Sequence, residues 1–257
     1  MRLITWNLNS IRVRLERLLA LLARHDPDIV CLQELKSDEE NFPYLAIEKT
    51  GYFSAVYGQR GYNGVAILSK EPLRCVEKGF GSEDFDSQAR LIAGTWREIR
   101  IVCAYFPNGG EIGSERYAYK LRWMEGLLGW LKKKYSPEEP IILAGDFNVA
   151  PEERDVAFPE RWKNTVLFSD EVRASLQRIR AWGFYDSLRL VNQSGGIYSW
   201  WDYRALAFPK NDGLRIDHID VTRPLCDKVQ AVWVDREERK GKQPSDHAPV
   251  ILDARHE

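Results

Sequence analysis

The chain of 257 residues has few histidines, methionines and cysteines, and the pattern of its cysteines excludes some classes of protein. It contains four histidines and four cysteines, and the cysteines are far apart, without a Cys-x-x-Cys pair. This spacing argues against a zinc module or a small domain held together by disulfides. Cys31 and Cys103 lie within apolar runs, so we expect reduced thiols in the core.

Long apolar runs and an excess of one charge are also missing. No apolar run approaches the roughly 18 residues that span a bilayer, and residues 1–7 lack the apolar stretch of a signal peptide. Lysine and arginine number 37 against 38 acidic residues, so no global positive field indicates a nucleic-acid partner, although a local basic face would suffice for phosphate contacts. With 44% hydrophobic residues the chain can bury a sizeable core. A cytoplasmic enzyme or binding domain fits this composition best.

The hydrophobic pattern predicts many short strands and a few helices. Helices are predicted after Ser10, Ser114 and Ser169, each of which can cap a helix N-terminus. Because strands outnumber helices and several neighbouring strands are joined by loops, the pattern favours sheets packed face to face with helices outside. No linker, repeat or low-complexity segment interrupts the chain, so we expect one domain over residues 1–257. Strands are predicted at 3–7, 28–33, 64–68, 99–105, 141–144, 197–201, 214–221, 229–234 and 248–252.

Polar side chains stand where the apolar runs stop, most clearly in two segments of the second half. Asp146 and Asn148 follow the run 141–144, and Asp246 and His247 precede the run 248–252. A carboxylate buried without a partner costs several kcal/mol or more, so acids at strand ends indicate a site open to solvent at the rim of a sheet. The same pattern recurs along the chain and gives the set Asn7, Glu34, Tyr105, Asp146, Asn148, Asp217, Asp246 and His247.

Carboxylate and amide oxygens of this kind suit Mg²⁺ or Mn²⁺, which keep water and phosphate as further ligands. Zinc is less suitable because histidine is scarce. Taken alone, Glu34 could be a solvated turn, Asn7 a cap and Asp217 a strand residue facing solvent. The run 245–247 has the residue types of a serine hydrolase, but consecutive strand residues point to opposite faces and cannot converge. The joint pattern is what favours a site.

Nine short motifs occur in order between residue 4 and about residue 252. They are WNLNS (6–10), LQELK (32–36), NGVA (63–66), YFPNG (105–109), YK (119–120), GDFN (145–148), WWDYR (200–204), GLRID (213–217) and PSDH (244–247). Together they resemble the motifs of the exonuclease III family of abasic-site endonucleases, within the endonuclease/exonuclease/phosphatase superfamily. One departure is the run 88–90, where many relatives have an acid or glycine before the arginine; it bears on loop shape. The resemblance implies a four-layer α/β sandwich, with two packed mixed β-sheets flanked by helices.

The resemblance also implies a role for each polar residue near the metal. Glu34 would be the main Mg²⁺ ligand, Mn²⁺ being able to substitute, and Asn7 and Asp246 would lie close to the ion. Asp146 would orient or deprotonate the attacking water, and Asn148 would help to hold the water and the phosphate. The implied metal-site set is Asn7, Glu34, Asp146, Asn148, Asp246 and His247.

Three further residues are implied to act on the phosphate. His247 would contact it and stabilise its developing charge, with its ring oriented by Asp217, and Tyr105 would face the scissile phosphate or the leaving oxygen. A phosphodiester repels water by its charge, so hydrolysis needs a cation, a proton acceptor and aimed donors. Whether Asp146 or His247 takes the proton stays open, as does the choice between one and two metals.

Substrate choice would reside in the loops. Trp200, Leu214 and Ile216 align with the family's apolar pocket for an extruded abasic sugar, although such residues are more often core. Trp162 and Trp182 are expected in the core. The candidate phosphate contacts are Asn63, Tyr119, Lys120 and Arg204, with Arg204 equally consistent with an ordinary surface residue.

The function implied by the resemblance is a Mg²⁺-dependent phosphodiesterase that cuts 5′ to abasic sites in double-stranded DNA. It would also trim blocked 3′ ends as a 3′–5′ exodeoxyribonuclease. The protein is expected to be monomeric and not to bind a membrane. One alternative is a phospholipid or inositol-phosphate phosphoesterase of the same superfamily, which the pair 119–120 and the tryptophan-rich segment near Asp202 disfavour. The other is a non-catalytic nucleic-acid binding module, which the complete polar set disfavours.

Overall fold

The computed structural model describes residues 1–255 and contains two six-stranded β-sheets. The strands are β1 (Arg2–Asn7), β2 (Ile29–Gln33), β3 (Phe53–Tyr57), β4 (Val65–Ser69), β5 (Arg74–Lys78), β6 (Leu91–Trp96), β7 (Ile99–Tyr105), β8 (Ile141–Asp146), β9 (Phe184–Asp186), β10 (Asp217–Thr222), β11 (Val229–Val234) and β12 (Val250–Ala254). The helices are α1 (Ile11–His25), α2 (Tyr44–Glu48), α3 (Glu83–Asp86), α4 (Glu115–Lys134), α5 (Pro159–Trp162), α6 (Asp170–Ala181), α7 (Ser187–Val191), α8 (Ala207–Lys210) and α9 (Arg223–Cys226).

The strand order brings the ends of particular strands to one rim of the molecule. The first sheet has the order β11-β12-β1-β2-β4-β3 and the second the order β5-β6-β7-β8-β10-β9. Each contains a parallel pair, with Asn7 beside Gln33 at the end of β1 and β2, and Tyr105 beside Asp146 at the end of β7 and β8. Asp217, the first residue of the antiparallel β10, also pairs with Asp146. The topology therefore gathers polar strand ends from both sheets.

The side chains of each strand alternate between two cores. In β1, Leu3 packs between the sheets and Ile4 packs with residues of α1. In β8, Ile142 packs between the sheets, whereas Leu143 packs with Leu127 of α4. This period of two places apolar residues on both faces of the central strands. The layers are helix, sheet, sheet, helix, which confirms the predicted α/β sandwich.

The predicted helices are present, but their caps differ. The Ser114 hydroxyl accepts a hydrogen bond from the backbone N–H of Tyr117 at 3.2 Å. Ser10 and Ser169 also precede helices, but within residues 1–255 their side chains form no capping hydrogen bond. The Ser169 hydroxyl lies 2.8 Å from the hydroxyl of Tyr117 instead, so it joins α6 to α4.

One predicted strand is wrong. Residues 197–201 form no strand; within this segment Trp200 forms isolated bridges to Leu214 and His247. The backbone N–H of Trp200 donates to Leu214 and that of Trp201 to Asp246, so this segment links two loops. The strand expected from 214 begins only at Asp217. Both errors arise because apolar residues of these loops are buried as deeply as strand residues.

All four cysteines are free thiols, and Cys31 and Cys103 are buried between the sheets, as predicted. None of the helices within residues 1–255 combines the length and the apolar character of a bilayer-spanning segment.

Candidate active site

Asn7 joins the two sheets at the rim where the polar strand ends meet. Its side-chain amide donates to Glu34 Oε1 at 2.9 Å and to Asp146 Oδ2 at 2.8 Å. Glu34 follows β2 of the first sheet, and Asp146 ends β8 of the second. Asn7 is fully buried, and these two bonds engage both hydrogens of its amide. It therefore holds carboxylates from the two sheets in one cluster.

His247 and Asp217 form a buried pair beside Asp146. The His247 Nδ1 atom lies 2.9 Å from Asp217 Oδ2, and its Nε2 atom lies 3.7 Å from Asp146 Oδ2. Burial alone would lower the pKa of His247, but the carboxylates of Asp217 and Asp146 outweigh burial and raise the pKa to about 10. Ser199 donates to Asp217 Oδ2 at 2.6 Å and accepts from the Asp217 N–H. Sequence reasoning did not single out Ser199, whose only signal is its place before the tryptophan motif.

Asp146 has a carboxyl group suited to accept a proton near neutral pH. Burial is the main cause that raises its pKa to about 7, and the nearby Asp217 and Glu34 carboxylates add to the increase. His247 and the Asn7 amide act in the opposite direction. A carboxylate with such a pKa is a better proton acceptor than one at the usual value.

Asn148 is tied to Asp146 by both its backbone and its side chain. Its N–H donates to Asp146 Oδ1 at 2.9 Å, and its side-chain amide donates to the carbonyl of Phe106 at 3.0 Å. Asn148, Glu34 and Asn63 have φ values of 51°, 49° and 48°, the left-handed region. Such backbone costs of order 1–3 kcal/mol per residue and is concentrated at functional sites.

Asp246 is held by two donors at the edge of the cluster. Its carboxylate accepts from the indole N–H of Trp200 at 3.0 Å and from the side-chain amide of Asn9 at 3.0 Å. Burial raises the pKa of Asp246, but His247 and these hydrogen bonds outweigh it, so the pKa lies below the usual value. The ammonium of Lys36 lies 3.0 Å from Glu34 Oε2 and also donates to Asn9. Asn9 is a second member of the cluster that sequence reasoning did not single out.

The cluster has the donor set of a divalent-cation site. Glu34, Asp146 and His247 each present a ligand atom, and these atoms lie within 4.8 Å of one another. Asp246 adds a carboxylate at the edge of the cluster, whereas the Asn7 amide presents its NH₂ group to Glu34 and Asp146 and its oxygen accepts from the backbone N–H of Asn9. A set dominated by carboxylate oxygens suits a hard cation such as Mg²⁺ better than Zn²⁺.

A cleft of about 500 Å³ opens from this cluster. Tyr105 lines it next to Glu34, and the guanidinium of Arg90 stands 4.7 Å over the Tyr105 ring. Burial, followed by the Glu34 carboxylate, raises the pKa of Tyr105 well above its usual value, so its hydroxyl keeps its proton. Asn63 and Tyr119 line the same cleft. The cleft is large enough to admit part of a phosphodiester chain to the cluster.

Comparison with known proteins identifies the family. The model of the endonuclease/exonuclease/phosphatase family matches residues 4–247. The chain belongs to this family. It is 34% identical over 262 aligned residues to exodeoxyribonuclease III of Haemophilus influenzae, covering 97% of this chain and 98% of that protein.

Solved structures give the same result for the fold. An AP endonuclease from Archaeoglobus fulgidus superposes with a TM-score of 0.96 at 36% identity, covering 99% of both chains. The 3′ phosphatase NExo from Neisseria, solved with a product DNA hairpin, superposes with a TM-score of 0.95 at 38% identity over 100% of both chains. The fold of this family member is thus shared along its whole length.

Lys120 does not occupy the place expected from the family motif. Its side chain is fully buried, and its ammonium donates to the carbonyls of Asn108, Asn148 and Val166. Burial lowers the pKa of Lys120 to about 7, with the Asp146 carboxylate opposing the change. The expectation that Lys120 contacts a phosphate is therefore wrong, because all three of its hydrogens are engaged by backbone carbonyls.

Leu214 and Ile216, which are expected in the apolar pocket with Trp200, do not line the cavity that Trp200 lines. Leu214 is 0% exposed and Ile216 is 2% exposed, and both pack in the core against the second sheet. Trp200 is only partly buried, and it lines a cavity of about 360 Å³. Trp162, expected in the core, lines the same cavity with its ring edge-on to Trp200 at 5.9 Å between centroids. Arg204, paired with a neighbouring aspartate and 87% exposed, stands at the cavity mouth.

Proposed function

We propose that the protein is a Mg²⁺-dependent DNA-repair phosphodiesterase that cuts 5′ to abasic sites in duplex DNA and trims blocked 3′ ends. The observation that carries this proposal is the cluster of Asn7, Glu34, Asp146 and His247, which combines a cation site with a proton acceptor at the end of an open cleft. The names of the relatives, an exodeoxyribonuclease III and an AP endonuclease, support DNA as the substrate.

The proposed chemistry divides the work between the residues of the cluster. Mg²⁺, or Mn²⁺ in its place, would be held by Glu34 with Asn7 and Asp246 nearby, and would offset the charge of the phosphate. Asp146, with its raised pKa, accepts the proton of the attacking water. His247 is cationic at neutral pH and donates to a nonbridging oxygen, with its ring fixed by Asp217.

Two neutral groups complete the arrangement. Asn148, fixed against Asp146, orients the water and the phosphate. Tyr105 retains its proton and faces the cleft, so it can donate to the leaving oxygen. At neutral pH the His247 imidazolium already carries its proton, whereas the Asp146 carboxylate can accept one. We therefore favour Asp146 as the proton acceptor.

The two openings beside the cluster suggest how the substrate is chosen. The cleft lined by Asn63 and Tyr119 would hold the phosphate backbone, and the cavity beside Trp200 and Trp162 would receive the bare sugar. Extruding a nucleotide costs a few kcal/mol, and least where pairing is already absent. We also propose that the protein acts as a single-domain monomer in the cytoplasm, where its four free cysteines would stay reduced.

The test uses labelled duplexes with and without Mg²⁺. One duplex carries a stable abasic analogue, one is intact, and one ends in a 3′ phosphate; an inositol phosphate is assayed in parallel. We expect Mg²⁺-dependent cutting 5′ to the analogue and release of the 3′ phosphate. Hydrolysis of the inositol phosphate alone would support the phosphoesterase alternative, and binding without cleavage of any duplex would support the binding module.

A further inference from the structure

The buried ammonium of Lys120 ties together three separate loops. It donates to the carbonyl of Asn108 after β7 at 3.1 Å, to that of Asn148 after β8 at 2.6 Å, and to that of Val166 before α6 at 2.6 Å. A lysine ammonium has three hydrogens and these are three acceptors, so the group is fully satisfied inside the protein. Charge-assisted bonds of this kind are stronger than those between neutral groups.

Two of these carbonyls belong to residues whose side chains meet at the active site. The Asn108 side-chain amide donates to Asn148 Oδ1 at 3.2 Å, and the Asn148 side-chain amide donates to Phe106 O and towards Asp146. Gly109 closes the loop over the lysine stem, because a Cβ there would stand 3.0 Å from the Lys120 Cδ at a φ of 100°. Lys120 thus holds the backbone of the Asn108–Asn148 pair from below.

We propose that Lys120 is a positioning residue that fixes Asn148, through its backbone carbonyl, in the left-handed conformation that aligns its amide with Asp146. The proposal rests on the function proposed above for that site. Asn148 has a left-handed φ of 51°, and its backbone carbonyl accepts from the Lys120 ammonium at 2.6 Å. With the carbonyl anchored by an ammonium, the side chain above it keeps one orientation.

The first experiment is a double-mutant cycle in Lys120→Met and Asn148→Ala, measured with the abasic duplex. Misplacing a catalytic group by about 1 Å can cost about 10²-fold in rate, so we expect Lys120→Met to lower kcat by about that factor. KM should stay within about threefold, because no contact with DNA is removed. In the Asn148→Ala background the lysine change should alter kcat by less than about threefold, because the residue through which it acts is gone.

Arg100→Met is the matched control. Arg100 is also a buried cation, bonded to the backbone carbonyl of Cys75 at 2.7 Å and to the Glu77 carboxylate at 2.9 Å, but it lies at the opposite end of β7 from Tyr105. A purely structural loss of a buried cation should lower the unfolding temperature in both variants and leave kcat per folded molecule unchanged in both. If Lys120→Met does not fold, Lys120→Gln, which keeps two N–H donors, is measured against the same thresholds.

A second readout does not depend on activity. The side-chain NH₂ resonance of Asn148, assigned by its loss in Asn148→Ala, should shift in Lys120→Met and stay in place in Arg100→Met. An unmoved resonance, or equal losses of kcat in the presence and absence of Asn148, would overturn the positioning role. If the wild-type protein cleaves none of the duplexes, the proposed function fails, and the resonance still decides the role of Lys120.

Discussion

Two buried clusters of charged residues lie on opposite faces of the same strand. Each contains a histidine, and the pKa values of the two histidines are shifted in opposite directions. Asp217 and His218 are consecutive at the start of β10; Asp217 joins His247 in the candidate site, whereas His218 faces a network of arginines and aspartates. The pKa of His247 is raised to about 10 by its carboxylate neighbours. The pKa of His218 is lowered well below its usual value, first by burial and then by Arg215 and Arg180.

The network around His218 is balanced in charge. Arg215 bonds Asp155 and Asp186, and Arg180 bonds Asp220 at 2.7 Å. Arg189 adds a third arginine on Asp155, so three arginines meet three aspartates. Asp186, His218 and Asp220 satisfy the distances of a metal site, but arginine side chains already occupy both carboxylates. Acidic and basic side chains paired in this way indicate a structural role rather than a metal site.

The candidate site is unbalanced by comparison. Four carboxylates, those of Glu34, Asp146, Asp217 and Asp246, surround the single imidazolium of His247, with Lys36 at the rim. Buried charges without partners are costly, so an excess of carboxylates is expected where a bound cation would offset it. The comparison indicates that an excess of negative charge, rather than the number of buried charged groups, distinguishes the functional cluster.

The largest effect should come from Asp146→Asn in the unbalanced cluster. This change keeps the shape but removes the proton acceptor, so turnover on the abasic duplex should fall by about 10²–10⁴-fold. Binding of the duplex should survive. Asp220→Asn in the balanced network is the control: it should lower the unfolding temperature with little change in kcat per folded molecule. An Asp146→Asn protein that cleaves at the wild-type rate would remove this residue from the mechanism.

Breaking the balanced network should act on stability instead. Arg215→Met leaves the carboxylates of Asp155 and Asp186 buried with fewer partners, and breaking a buried pair typically costs about 3–5 kcal/mol. We expect a loss of that size in the free energy of unfolding, measured by urea denaturation at neutral pH. Arg74→Met, which removes an exposed pair with Glu98, should change it little. Equal small losses in both variants would contradict a structural network.

Trp200→Ala tests the border of the functional cluster. Removing this wall of the cavity should cost about 1–3 kcal/mol in transition-state binding at abasic sites, the scale of stacking on an aromatic side chain. Trimming from a 3′ end should suffer less, so the ratio of abasic cleavage to 3′ trimming should fall. Trp182→Ala removes a tryptophan packed against Phe184 away from the cavity and should leave this ratio unchanged. An unchanged ratio in Trp200→Ala would place selectivity elsewhere.

Much of this fold and site follows from local sequence patterns. Strand β7 was predicted with the bounds that it has, because its seven residues are all buried and end at a proline-containing turn. Asn7, Asp146 and Asp217 were predicted to be at strand ends; strand pairing brings Asp146 and Asp217 together, and Asn7 reaches Asp146 from the other sheet through its side-chain amide. Polar residues at the ends of apolar runs therefore indicate a functional site even when the topology is unknown.

The burial of individual side chains, and their contacts with residues distant in the sequence, could not be predicted from local patterns. Lys120 lies on the buried face of α4, three residues after Tyr117 and four before Met124, but the sequence does not show that its ammonium meets carbonyls of three distant loops. Leu214 is fully buried in the core although its backbone is paired with that of Trp200. Four strands, β3, β5, β6 and β9, have no counterpart among the predicted strands; β3, β5 and β9 lie at sheet edges, whereas β6 is largely buried between β5 and β7. These features are decided by tertiary packing.

The smallest expected effect concerns His218 and pH. The ring Nδ1 lies 3.0 Å from an Arg215 nitrogen and Nε2 lies 2.9 Å from the carbonyl of Val149, which fits a neutral ring that donates from Nε2. The folded protein therefore binds no proton here at a pH where the unfolded chain, with a histidine pKa of about 6.5, does. The stability that this histidine contributes is present above pH 6.5 or so and is lost as the pH falls.

His218→Gln keeps an N–H donor for Val149 and removes the titration. Between pH 7.5 and 5.5 the wild-type protein should lose about 1.4 kcal/mol more unfolding free energy than His218→Gln, as measured by urea denaturation. Equal losses in the two proteins would mean that His218 takes up its proton while folded, and the contrast between the two histidines would disappear.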